Sequence, residues 1–263
     1  MQSIALQTTA ELGGRMSLLV RQRRDHRRLY EYFAELARTP EREQGAILLD
    51  MYRLVFPHAF AEEAVLWPLL RRLSPEGHAL TLQNEREHQA INLLVTRLEG
   101  LAPGSAEHRT VLAQVVDLLR ADVCDEEDKL LPQLQAALGP VQLTALGIAW
   151  EAVRRIAPTR AHPIVSRRPP GNVLAALPLA IVDRCRDRVD ALAMRRSEKG
   201  EGRVGAALAQ TSHAIERLPG MRRGEHPATR VPRGPRKWNR TAVAVGLVAS
   251  AGVMLAVRNH RQA

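Results

Sequence analysis

His58-Ala-Phe-Ala-Glu62-Glu63-Ala-Val-Leu66-Trp67-Pro68 and Asp122-Val-Cys-Asp-Glu126-Glu127-Asp-Lys-Leu130-Leu131-Pro132 read as two versions of one stretch. Each places a metal-capable side chain four residues before a glutamate, then a second glutamate, then an apolar pair and a proline. On a helix, positions i and i+4 lie one turn apart on the same face. Each version can therefore aim two ligand-type side chains at one point. Two such helices facing each other, with a histidine from each of two more, would build a dinuclear metal site inside a helical bundle.

The surrounding sequence supplies those helices. Residues 1–38 hold a first helix, in which Leu19, His26 and Phe33 recur at seven-residue spacing and put His26 on the apolar stripe. Thr39-Pro40-Glu41 is a helix start, and the second helix runs from there to about Leu73, with a kink expected at Pro57. Ser74-Pro75-Glu76-Gly77 is a turn. A third helix covers about His78 to Leu101, with His88, Ile91, Val95 and Leu98 on its inner seam. A fourth covers about Ala106 to Leu138, with Val115, Leu119, Asp122, Glu126 and Leu130 on one face, and Gly139-Pro140 ends it. Short connections between long helices predict an all-α, antiparallel up-down-up-down four-helix bundle over residues 1–157. A short extra helix, about Val141 to Ile156, is expected on its outside. Aromatics are only 3% of the chain, which suits helix-on-helix packing better than a sheet core.

Beyond Ala157 the texture changes. Residues 158–240 read as a Pro/Arg-rich linker, disordered over 200–240, with an amphipathic helix at 171–194 in which Leu174, Leu177, Ile181 and Leu192 oppose Asp183, Arg184, Arg188 and Asp190. The net charge of +10 is uneven: residues 1–159 carry 18 Lys+Arg against 21 Asp+Glu, and residues 160–240 carry 18 against 7. The basic balance belongs to the tail and says nothing of what the bundle binds. With one aromatic and no recognisable fold in that basic stretch, no specific nucleic-acid recognition is expected. Residues 241–257 then run without a charge. As a helix they would rise about 25 Å, a little short of a ~30 Å hydrocarbon core. Trp238 and Lys237 border them on one side, Arg258 and Arg261 on the other. This predicts a single apolar C-terminal helix that crosses the membrane, with the bundle on the cytoplasmic side by the positive-inside rule. Ala242, Gly246 and Ser250 recur every four residues and could pair two copies as a homodimer. Cys124 and Cys185 fit no disulfide framework and point to a reducing compartment; Cys124 reads as a small buried hydrophobe. Met1 to Ala10 lacks the features of a signal peptide.

The ligand-type residues on inward faces are His26, His58, Glu62, His88, Asp122 and Glu126. A lone histidine on an apolar face is more often a core residue than a ligand, and a lone His-x-x-x-Glu pair is more often solvated. The conjunction of all six at comparable heights favours a metal. Glu62, Asp122 and Glu126 would otherwise concentrate like charge in a core. Glu63 and Glu127 are expected to face outward or to sit behind the ligands. Tyr30 is expected to pack, and His162 to lie outside the bundle.

Asp25-His26, His58-x-x-x-Glu62-Glu63 with Leu66-Trp67-Pro68, Glu87-His88 and the Glu126-Glu127…Leu131-Pro132 echo together resemble the hemerythrin-like, or HHE cation-binding, family over roughly residues 10–138. The resemblance implies a four-helix bundle with a non-haem, carboxylate-bridged di-iron centre that binds or senses dioxygen, or handles peroxide or nitric oxide. It implies that His26 and His58 serve one iron, that His88 serves the other, and that Glu62 and Glu126 bridge them. The chain has Asp122 where the family usually has histidine, and Asn92 where some members carry a further one. Manganese, or one metal in place of two, are the alternatives for the cofactor. The small ligand is expected to be diatomic or a peroxide. A di-iron oxidase or peroxidase, and a structural membrane-associated bundle with a degraded site, are the alternatives for function.

Overall fold

The computed structural model describes residues 2–195 and 203–232, and among them it contains helices and turns but no strand. Helix α1 spans Leu18–Arg38, entered through Ser17, whose side chain accepts from the Leu19 N–H. Helix α2, Gly45–Ala61, continues through a π-helical turn at Glu62–Leu66 into α3, Trp67–Leu73. Helix α4 spans Gly77–Glu99. Helix α5, Ala106–Asp125, continues through a second π turn at Glu126–Leu130 into α6, Leu131–Ala137. Helix α7, Pro140–Ile156, follows. The apolar residues of this bundle form two cores. One gathers Leu18, Leu19, Leu66, Trp67, Leu130, Leu131 and Trp150; the other gathers Leu29, Phe33, Met51, Phe56, Ile91, Val115 and Leu119.

The two π turns correct the expected kink. Helix α2 runs through Pro57, and the departure from α geometry begins five residues later at Glu62. Its cause is the proline that closes each version of the repeat. Proline has no N–H, and its ring clashes with the carbonyl four residues back. At Pro68 and Pro132 the chain relieves this by opening the preceding turn: the N–H of Trp67 reaches the Glu62 carbonyl, and that of Leu131 reaches the Glu126 carbonyl. The added residue per turn lets Glu62 and Glu63 both be buried.

Helix α7 lies closer to the centre than expected. It crosses the start of α1 at Gly147, where a Cβ would fall 2.7 Å from the Leu18 nitrogen and the Met16 oxygen, so only glycine allows this approach. That brings fully buried Trp150 edge-on to His58, with ring centroids 5.2 Å apart.

The larger correction concerns residues 158–232. In place of an extended linker they form an arm folded on the bundle: a buried stretch around Thr159–Val165, helix α8 at Gly171–Arg195, helix α9 at Arg203–Glu216, and turns to Pro232. Helix α8 turns Ala175, Leu179, Val182 and Cys185 inward in place of the expected leucines. Leu174, Leu177 and Leu192 are about half exposed, while Asp183 and Asp187 are buried. Asp187 is matched by arginines: Arg160 meets Asp187 at 2.7 Å, Asp190 at 2.7 Å and Glu99 of α4 at 3.1 Å, and Arg53 of α2 meets Asp187 at 3.2 Å, whereas Asp183 accepts from the Thr159 N–H at 3.0 Å and faces His162. Charge pairing, which hydrophobic periodicity does not register, thus lets two carboxylates turn inward beside these apolar residues. The predicted C-terminal helix at 241–257 lies outside the described residues. Among those described, no helix is long and apolar enough to cross a membrane.

One buried pair in the arm sets a pH dependence. His162 lies 3.0 Å from Asp183 and 3.5 Å from Glu216. Burial pushes the imidazolium down, but Asp183 and Glu216 outweigh it and raise its pKa from 6.5 to about 9. Burial pushes Glu216 up, but His162 and His213 outweigh it and hold it at about 2. A raised histidine stabilises the fold fully below its unfolded pKa and loses this as pH climbs through the folded one. The His162 contribution, roughly 3 kcal/mol for a shift of this size, should fade between pH 6.5 and 9. The Glu216 contribution should fade only below pH 4.5, as the pH falls toward 2. Urea midpoints at pH 6 and pH 9 should therefore differ more for the wild-type chain than for His162→Gln; equal differences would show that the pair carries no such stability.

Candidate metal centre

Six side chains from four helical segments meet in a layer between the two apolar cores. α1 supplies His26, α2 and its π turn supply His58 and Glu62, α4 supplies His88, and α5 and its π turn supply Asp122 and Glu126. All six are buried. Their ligand atoms fall into two groups, His26, His58, Glu62 and Glu126 in one and His88, Asp122 and Glu126 in the other, with the atoms of each within 4.8 Å of one another.

The carboxylates span the two groups. Glu126 places Oε2 3.1 Å from His26 Nε2 and Oε1 3.6 Å from His88 Nε2. Glu62 places Oε1 3.0 Å from His58 Nε2 and Oε2 3.8 Å from His88 Nε2. Asp122 Oδ1 is 3.5 Å from His88 Nε2. All three imidazoles thus turn Nε2 inward, and the Nε2 atoms of His26 and His58 are 3.3 Å apart.

Each ring is held from behind by a carboxylate. His26 Nδ1 donates to Glu127 at 2.9 Å, His88 Nδ1 donates to Glu63 at 3.0 Å, and His58 Nδ1 faces Asp25 at 3.5 Å. Such a partner keeps the proton on Nδ1 and leaves Nε2 free as a metal donor. Arg154 of α7 in turn meets Asp25 at 3.2 Å. Asn84 donates to Asp122 at 2.7 Å and to Glu126 at 3.2 Å. Sequence reading missed Asn84, although it lies one turn before His88 and shares its face. Its counterpart before His26 is Gln22, which is buried with neither amide atom hydrogen bonded. Tyr30 does not reach the site; it is partly exposed and packs edge-on against Phe33. Cys124 is exposed, not buried as its small apolar character suggested.

The electrostatics call for positive charge. Burial alone would lower the pKa of all three imidazoles, yet the neighbouring carboxylates raise His26 to about 9 and His58 and His88 well above the usual range. Burial together with Glu126 pushes Glu62 up to about 7, and the same two causes raise Asp122. Glu126 goes the other way: the close imidazoles of His26, His58 and His88 overcome its burial and hold it well below the carboxylate range. Both oxygens of Glu62 and the Nε2 of His88 make no hydrogen bond. Orphaned donors of this kind, all aimed at one point, are what a cation would satisfy. The buried His/Glu/Asp cluster fits a metal site, and its mixed imidazole and carboxylate donors suit iron, zinc or manganese.

Beside these donors a pocket opens toward the second apolar core. It is lined by Leu29, Leu54, Phe56, Ile91 and Leu119 as well as by the site residues, and offers about 30 Å³ to the centre of a water-sized sphere. Roughly 10–15 Å³ suffices for one water, so the space suits a molecule of a few atoms.

Residues 18–134 match the family described as Hemerythrin HHE cation binding domain, and the chain carries such a domain over that stretch. It is 22% identical over 173 residues to an uncharacterized hemerythrin-like protein of Schizosaccharomyces pombe, covering 64% of this chain and 83% of that one. It is also 25% identical over 134 residues to a DNA nickase of Nostoc, covering 50% of this chain but only 37% of the nickase. No solved structure matches.

Glu62 offers a test of the charge balance. In metal-free protein, Glu62→Gln removes one of three mutually repelling buried carboxylates. It should raise the unfolding midpoint, by about 2–4 °C for each kcal/mol gained, and it should also shrink the further rise produced by added metal. A lower midpoint without metal would show that Glu62 is satisfied by protein groups alone.

Proposed function

We propose that this chain is a non-haem di-iron protein whose centre binds or senses dioxygen or reactive oxygen and nitrogen species. The observation that carries the reading is the placement of Glu62 and Glu126, each with one oxygen toward the His26/His58 group and the other toward His88. A carboxylate so placed is suited to bridge two ions. His26 and His58 would hold one and His88 and Asp122 the other. Two bound irons would supply redox-active Lewis acids that take a small oxygen- or nitrogen-containing ligand. The chain contributes the rest. Glu127, Asp25 and Glu63 fix the three rings, and Asn84 fixes Asp122 and Glu126. Leu29, Leu54, Phe56 and Ile91 keep the adjoining pocket apolar, which favours a small neutral ligand over bulk water. The same reading makes the ligand a diatomic molecule or a peroxide.

Asp122 favours one variant of this reading. It makes the donor set of the second position oxygen-rich, and oxygen donors favour ferric over ferrous iron. Turnover of peroxide, as in an oxidase or peroxidase, is then a closer alternative than reversible carriage of dioxygen. Protein purified anaerobically should contain two irons per chain and develop a near-ultraviolet charge-transfer absorption in air; one metal or none would overturn the dinuclear reading. Consumption of hydrogen peroxide with turnover would identify the enzyme.

We also propose that residues 241–257 tether the bundle to the cytoplasmic face of the membrane. The support is their lack of charge and the seven Lys/Arg between Arg222 and Arg240 against two after Val257. Deleting residues 238–263 should shift the protein from the membrane to the soluble fraction, and an unchanged distribution would exclude the anchor.

A further inference from the structure

We propose that the stretch of arm from residue 158 to residue 170 is a working part of the metal centre, with Arg167 as the positioning residue for its His88 half. The proposal rests on the dinuclear reading above and concerns how the second position is held.

Two contacts from the arm converge on His88. The first passes through Asn92, one turn further along α4. Its Nδ2 donates to the His88 carbonyl at 2.8 Å, while its Oδ1 accepts the backbone N–H of His162 at 2.9 Å. The position where a further ligand could stand is thus given to docking the arm. The second passes through Glu63, which accepts from His88 Nδ1 at 3.0 Å. Arg167 Nη1 lies 3.8 Å from the same Glu63 oxygen. Its guanidinium is buried and is fixed from the arm's own backbone, with Nη2 donating to the carbonyls of His162 at 2.8 Å and Val165 at 3.1 Å.

The three rings differ in what compensates the carboxylate behind them, and Asp25, behind His58, has Arg154 at 3.2 Å. Glu127, behind His26, keeps 13% of its side chain in solvent, whereas Glu63, behind His88, keeps 1%. Water can stabilise the first; the second needs a buried cation. Arg71 also feels the Glu63 charge, but its hydrogen bonds go to Thr81 and Glu85. Among the described residues, Arg167 is the arginine that lies within ion-pair distance of Glu63. At 3.8 Å it neutralises charge without competing for the oxygen that holds His88. Take Arg167 away and Glu63 is left in a dry pocket with no guanidinium beside it. The ring it orients then loses its fixed Nδ1 partner, and the Nε2 facing the second position loses its aim.

The test is a titration of the metal-free, full-length chain with ferrous iron under anaerobic conditions, read as two binding steps. Removing a group that orients a metal-bound histidine typically weakens the metal 10–100-fold. Arg167 acts one residue further out, so Arg167→Met should weaken the second equivalent about 10-fold and leave the first within error. Arg167→Lys, which restores charge but not the fork, should recover part of the loss. Arg167→Gln serves if the methionine variant fails to fold. Arg168→Met is the control for docking alone, because Arg168 ties the arm to Glu85 at 2.7 Å and makes no ion pair with Glu63. It should lower the unfolding midpoint without changing the second binding step. Unchanged binding in Arg167→Met, or equal weakening in Arg168→Met, overturns the proposal. A wild-type chain that takes fewer than two equivalents overturns the dinuclear reading and this proposal with it.

Discussion

The structure depends on one electrostatic constraint: a layer of ionisable groups is buried between two apolar cores, and every charge in it must be answered. Three imidazoles and three carboxylates face inward, and three further carboxylates stand behind the rings. Much of the bundle serves that layer. The π turns deliver Glu62 and Glu126 to the centre and let Glu63 and Glu127 stand behind histidines of other helices. Helix α7 approaches α1 closely enough, through Gly147, to bring Arg154 onto Asp25 and Trp150 against His58. Protons can neutralise such a layer, as the raised histidine and glutamate pKa values show, but then binding a metal must displace them. Metal affinity is therefore tied to pH and to the fold itself.

The two halves of the centre are related by the repeated stretch and yet are unequal. Glu62 answers to Glu126, and Glu63 to Glu127, each second glutamate holding a ring on another helix. His58, however, answers to Asp122, and Gln22 to Asn84. The asparagine ties down the aspartate and Glu126, while Gln22 finds no partner. One half is thus richer in nitrogen donors and the other richer in oxygen, with Asn84 as its amide partner. On the dinuclear reading proposed above, unequal halves would give two metal positions with different affinities. This suits a centre that changes state on meeting a ligand better than one that stores metal indifferently.

Much of this was legible in the sequence. The duplicated stretch, the seven-residue seams and the turn residues located the bundle helices to within a few positions, and the inward residues that they picked out are those the structure brings together. What stayed hidden has physical causes. A π turn adds a residue without changing composition, so Pro57, the proline inside a helix, looked like the disruption, whereas Pro68 and Pro132, each at the second position of the following helix, do the work. Asn84 is an ordinary polar residue until Asp122 stands opposite it. Helix α8 was legible over 171–194, but its packing was not: Asp183 and Asp187 read as solvent-facing, whereas His162 and the backbone N–H groups of Thr159 and Arg160 answer Asp183, and the Arg53 and Arg160 side chains answer Asp187.

The burial of these charges bears on what the arm is for. Buried ion pairs are a poor way to gain stability, since desolvation cancels much of their attraction, and apolar residues of similar size often hold better. Leu174, Leu177 and Leu192 could have been that apolar face, yet they point outward. What paired charges do provide is a defined position, because Arg160 can meet Asp187, Asp190 and Glu99 together only in one docking geometry. An arm fixed in this way arrives with the His162 N–H on Asn92 and the Arg167 guanidinium beside Glu63, and small displacements would lose both. Accuracy of placement at the His88 half, more than binding strength, is the property that this costly interface is built to secure.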